Sequence, residues 1–136
     1  MSKILILSRE NAVRSQILEA YLRQHLTKND GVFSGGIEPS GVDPQAIRIM
    51  AEDHLVIAGQ NSDHLLFYAQ EKFDLIIALD PCVLSHCEKS FAGVKVQELF
   101  FDEIEGFGGA ERMKKIKELR NQLKSAALNL SREIAS

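Results

Sequence analysis

Lys3-Ile-Leu-Ile-Leu-Ser-Arg-Glu-Asn-Ala-Val-Arg-Ser15 decides the fold of this 136-residue chain. The apolar run 4–7 has the length and composition of a buried strand. A polar turn follows over 8–11, and an amphipathic helix opens near Ala12. Val13, Ile17, Ala20 and Tyr21 share one face of that helix, which Leu18 and Leu22 broaden to about Leu26. Strand, short loop and helix N-terminus bring unpaired backbone N–H groups and the positive end of a helix dipole to one spot, which outlines an anion site. Arg14 and Ser15, in the first helical turn, put a guanidinium and a hydroxyl within reach of it. The loop contains no cysteine and no glycine.

Outward from this stretch, strands and helices alternate. Asn29-Asp30-Gly31 signals a turn, and Val32-Phe33-Ser34 a short second strand. A loop over 35–41 leads to a helix start, with Asp43 as N-cap and Pro44 at the first helical position. Ala46, Ile49, Met50 and Leu55 form the inner side of that helix, and Ser62-Asp63 caps a short helix over 63–70. The run 73–79, nearly all apolar, reads as a strand buried on both faces of a parallel sheet, ended by Asp80-Pro81. Val94-Lys95-Val96 is a weaker fourth strand, and 101–109 a loop around Phe107. From Ala110 onward Met113, Ile116, Leu119, Leu123, Ala127, Leu130 and Ile134 keep helical spacing. The pattern predicts a single α/β domain over 1–136, a three-layer fold with a four-stranded parallel sheet flanked by helices. Ligands of such sheets sit beyond the carboxyl ends of the strands. Ser8, Ser34 and Asp80 therefore belong around one crevice.

Composition narrows the function. A net charge of -3 argues against nucleic-acid binding through a basic surface. No apolar run approaches the roughly 20 residues needed to cross a membrane. Nothing at the start resembles a secretory signal, and two cysteines do not make a disulfide framework, so the expected location is the cytoplasm.

The chain resembles the low-molecular-weight protein tyrosine phosphatases and the thioredoxin-coupled arsenate reductases that share their fold. Residues 3–16 look like the family's strand followed by Cys-x5-Arg-Ser, and residues 33–38 are similar to its Ser-Ala-Gly-Ile segment. Gly41-Val42-Asp43-Pro44-Gln45-Ala46 matches a Gly-x-x-Pro-x-Ala helix start, residues 60–63 match the next cap, and 73–80 look like the third strand. The order and spacing of these segments make the resemblance specific.

What the resemblance implies for the site is mixed. The family reaction uses a thiolate where this chain has Ser8, assisted by loop amides and an arginine, here Arg14. Val13 stands at the second family cysteine. Glu10 stands at the loop glycine, where a unit charge beside a bound anion costs about 1–4 kcal/mol, offset in part by Arg9. The general acid position falls on Asp102 or Glu103, without the usual proline. The oxyanion-binding set carried over is Ser8, Arg9, Asn11, Arg14 and Ser15. A potassium site of the reductase branch maps onto Asn11, Glu19, Ser34 and Asp63, whose oxygen donors suit a hard cation. By themselves Asn11, Ser34 and Asp63 are also ordinary turn and cap residues, and Arg14 an ordinary partner for Glu10 or Glu19.

Cys82 and Cys87 follow the third strand, near the reductase branch's redox pair. Without a loop cysteine a relay of three thiols does not run, and the bland reading is a small buried hydrophobe. Phe100, Phe101 and Phe107 are expected to fold the late loop onto the site. The expected function is that of a degenerate phosphatase- or arsenate reductase-like protein binding a phosphate-like oxyanion or phosphorylated ligand at 8–15. The alternatives are an enzyme using Ser8 or the Cys82/Cys87 pair, and a protein-interaction module or homodimer.

Overall fold

A computed structural model describes residues 2–27, 29–102, 104 and 107–135. Strands β1 (Lys3–Ser8), β2 (Gly31–Gly36), β3 (Leu75–Ala78) and β4 (Lys95–Glu98) form one parallel sheet in the order β2-β1-β3-β4. Helices α1 (Arg14–His25), α2 (Pro44–Glu52) and α4 (Gly109–Ala135) cover one face. Helix α3 (Leu84–Ser90) and two 3-10 turns, Leu65–Tyr68 and Pro81–Val83, cover the other.

Period-two alternation explains the layers. Ile4 and Ile6 of β1 and Leu75 and Ile77 of β3 point toward Ile17, Tyr21, Ile116 and Leu123. Leu5, Leu7, Ile76 and Ala78 point the other way, into a cluster with Leu65, Tyr68, Phe73, Cys87 and Phe91. The central strand is buried on both sides, so its four apolar residues run without a break. Its register sets Leu7 opposite Ala78 and Ser8 opposite Gly36, bringing the carboxyl ends of three strands to one edge.

Several elements depart from the expected ones. The second strand is longer, because its glycine end pairs with the end of β1. The fourth runs Lys95–Glu98 rather than 94–96. Helix α1 starts at Arg14: Asn11 has a φ of 51° and Val13 is not helical, so the loop is two residues longer than periodicity suggests. The helix expected over 63–70 is a 3-10 turn, and its N-cap is His64, whose Nδ1 accepts from Leu66 N. Ser62 and Asp63 do not cap it, since Ser62 Oγ donates to Asn11 O and Asp63 O accepts from Gly36 N. Helix α3 lies where the sequence suggested no element.

Asp43 does cap α2, accepting from Gln45 N and Ala46 N, and it also receives a two-pronged ion pair from Arg112 of α4 (2.6 and 3.0 Å). Burial would push its carboxyl up, but Arg112 and the two amides overcome that and hold it below the usual aspartate range. The stability it supplies is present above that range and lost as pH falls through the lower folded value. Asp43→Ala should lower stability at pH 7 by about 1–2 kcal/mol, and urea melts should show the deficit shrinking toward pH 3. Leu5→Ala should cost about 2–5 kcal/mol by the same measurement.

Candidate functional site

The loop after β1 is held by its carbonyl oxygens. Arg9 O accepts from Ile37 N and Glu38 N, and Glu10 O accepts from Ser40 N. Asn11 O accepts from Ser62 Oγ and Gln16 Nε2, and Ala12 O from Asp43 N. Four successive carbonyls are thus turned to flanking segments. Among the described residues the amides of Glu10, Ala12 and Val13 have no acceptor. Asn11 takes the left-handed conformation that asparagine tolerates. Gly36 lets β2 come close, since a Cβ there would sit 3.0 Å from Arg9 O and 3.1 Å from Asn11 N.

Inside the loop, Ser8 Oγ accepts from Asn11 N and donates to Ser15 Oγ (both 3.0 Å), and Ser15 Oγ donates to Asn11 Oδ1 (2.8 Å). Among the described residues neither a histidine nor a carboxylate accepts from Ser8. Asn11 Nδ2 is buried and without a partner among the described residues, a condition that costs about 1–3 kcal/mol.

Arg14 is engaged by Asp80. Its Nη1 and Nη2 donate to Oδ1 and Oδ2 at 2.7 and 2.8 Å, and Nη1 also faces Leu79 O and Phe101 O. Both residues are 7% exposed. The sequence offered Glu10 or Glu19 as partners; the strand order selects Asp80, which leaves β3 beside the end of β1. Asp80 Oδ2 also accepts from Arg9 N at 2.8 Å. The Phe101 contact draws the late loop over the site.

A cavity of about 320 Å³ opens over the loop, lined by Ser8, Glu10, Asn11 and Arg14 on one side and by Ile104, Phe107 and Arg112 on the other. Arg112, which sequence reasoning did not single out, also donates to Gln45 Oε1 (2.5 Å). Its only signal in the sequence was a basic residue near the start of the last helix, a position that carries no chemistry until the fold closes. Asp102 lines an adjoining cavity with Phe100 and Lys115 rather than the one over Ser8. Glu103 lies outside the described residues. Arg9 is not among the described residues that line this cavity, and its Nε lies 4.0 Å from Glu38 Oε1.

Of the potassium set, Glu19 and Ser34 meet: Ser34 Oγ donates to Glu19 Oε1 at 2.5 Å. The other carboxylate oxygen pairs with Arg23 at 2.7 Å, and Arg23 also donates to Val32 O. Asn11 Oδ1 is taken by Ser15 Oγ and Gln16 Nε2. Three of the four groups do not fit a potassium ion as they stand, because a guanidinium already neutralises Glu19, Ser34 is spent on that carboxylate, and the asparagine oxygen is occupied by two donors. Cys87 is buried in the second core layer, where burial pushes its thiol up, while Cys82 is exposed on the 3-10 turn; neither forms a disulfide.

A strand, a loop and a helix N-terminus with a buried arginine, at the carboxyl edge of a four-stranded parallel sheet, define the architecture of an α/β class. The model of the low molecular weight phosphotyrosine protein phosphatases matches residues 3–106, and the chain belongs to that family. It is 32% identical over 121 residues to an arsenate reductase of Bacillus cereus strain 03BB102, spanning 89% of this chain and 90% of the relative. It is 36% identical over 103 residues to an arsenate reductase of Brevibacillus brevis, spanning 76% and 77%. An arsenate reductase solved in its phosphate-binding state superposes with a TM-score of 0.79 at 25% identity, covering 98% of this chain and 99% of that one. Four-stranded parallel architecture with flanking helices is common to these folds.

Burial is the main force on Glu19, raising its pKa against the Ser34 hydrogen bond and Arg23. A raised carboxyl contributes stability that is full below the ordinary glutamate range and is lost as pH climbs through the folded value. Glu19→Gln should therefore gain on the wild type as pH rises from 4 to 7 in denaturant melts; a gap that does not move with pH would refute this. Exchanging NaCl for KCl at constant ionic strength should leave the wild-type Tm unchanged, whereas a potassium-specific rise would restore the cation.

Proposed function

We propose that this chain binds a phosphate-like oxyanion at residues 8–15 without turning it over. The observation that carries the reading is the loop's polarity: its carbonyls are held by flanking segments while, among the described residues, the amides of Glu10, Ala12 and Val13 are left without acceptors at the N-terminus of α1. Backbone donors fixed in this way bind anions with little reorganisation. The phosphate-binding state of a structurally similar arsenate reductase supports the same ligand class.

Catalysis is a different demand. A hydroxyl needs a base to become a nucleophile, and the proton of Ser8 passes to Ser15 and on to an amide oxygen, Asn11 Oδ1, which does not hold a proton at neutral pH. The Cys82/Cys87 alternative gains nothing from a buried, raised thiol on Cys87. With Ser8 at the family's nucleophile position, the protein acts as a binder, a pseudoenzyme or sensor of phosphorylated ligands.

Inorganic phosphate, arsenate or vanadate at millimolar concentration should raise the Tm, and an aryl phosphate should not be hydrolysed. Absence of any shift, or a turnover that Ser8→Ala abolishes, would overturn the reading. Asp80→Asn removes the buried carboxylate that takes both Arg14 Nη1 and Nη2 and should cost about 3–5 kcal/mol in anion-free buffer. Phosphate should recover more Tm in that variant than in the wild type, because the anion then restores a negative charge that Asp80 supplied beside the guanidinium.

A further inference from the structure

Glu10 stands in the wall of the cavity over the loop, and its carboxylate makes no hydrogen bond or ion pair among the described residues. Arg112, the cation that feels Glu10 across the cavity, is itself held by Asp43 and Gln45. The same cavity therefore presents two opposite kinds of group. The loop amides of Glu10, Ala12 and Val13 are donors that lack acceptors among the described residues. The Glu10 side chain, when ionised, only accepts. Asn11, which also lines the cavity, adds a buried amide nitrogen without a partner among the described residues.

A fully deprotonated tetrahedral anion satisfies the donors but meets Glu10 as a like charge. An anion that keeps one O–H satisfies both, turning its bare oxygens to the amides and its hydroxyl to the carboxylate. We propose that Glu10 makes this a site for protonated tetrahedral oxyanions, hydrogen phosphate or hydrogen arsenate and their singly protonated esters, and that it rejects sulfate. The inference rests on the anion-binding reading above and adds selection by the ligand's proton. Selection by one misplaced charge follows the general logic of specificity, in which a repulsive group discriminates as well as an attractive one. At a partly exposed position, a repulsion of this kind is worth roughly tenfold or more in affinity.

The test is calorimetry and thermal shift on the full chain with sodium phosphate and sodium sulfate at matched ionic strength and pH 7. Wild type should bind phosphate at least about tenfold more tightly than sulfate. Glu10→Gln, a change at an exposed side chain checked for folding by circular dichroism, should keep phosphate binding and gain sulfate binding. Equal affinity for the two anions in the wild type would overturn the inference while leaving anion binding intact. Binding of both anions by Glu10→Gln and of neither by the wild type would also overturn it, since Glu10 would then be a plug. Binding of neither anion by either protein would overturn the anion-binding reading itself, and this inference with it.

Discussion

The ion pair between Arg14 and Asp80 is the constraint on which the site depends. It joins the first turn of α1 to the end of β3, and the same carboxylate holds Arg9 N at the start of the loop. The loop is thereby fixed at both ends by one side chain from a different strand. Burying such a pair is worthwhile only if further hydrogen bonds support it, and Leu79 O and Phe101 O supply two at Nη1. Through Phe101 the late loop is drawn in as well, so that a single guanidinium sets the floor and one wall of the cavity.

Around that anchor the loop is organised by the direction of its peptide groups. Segments from the end of β2, from the residues before α2 and from Ser62 take up its carbonyls, and the amides of Glu10, Ala12 and Val13 are left without an acceptor among the described residues. The positive φ at Asn11 and the absent side chain at Gly36 are the local conditions for this turn. Geometry of that kind is independent of the nucleophile. A member of the phosphatase family therefore keeps this loop conformation while carrying Ser8, whose hydroxyl donates to Ser15 Oγ.

Below the cradle, Glu19, Ser34 and Arg23 form a second polar knot between α1 and β2. The carboxylate is buried among apolar neighbours and pulled in opposite directions by desolvation and by Arg23. Arg23 follows Glu19 by one helical turn, so the counter-charge is built into the same helix. The knot ties helix to strand through protein groups of both.

The sequence by itself determined the layers. An unbroken apolar run at 4–7, a second at 75–79 and helical spacing along the last helix leave few ways to bury so much surface, and the parallel sheet with helices on both faces follows from them. It also placed Ser8, Asn11, Arg14 and Ser15 together, because they are neighbours in the chain. Only the tertiary structure decided who partners Arg14, since Asp80 is 66 positions away and becomes adjacent only when β3 pairs with β1. The same holds for Arg112, which reaches Asp43 across 69 positions, and for His64, which caps a turn because Ser62 and Asp63 are held by other loops. Local pattern fixes which residues are apolar and which turn, whereas an ion pair is chosen by the distance between elements, a quantity that exists only after the strands have found their order.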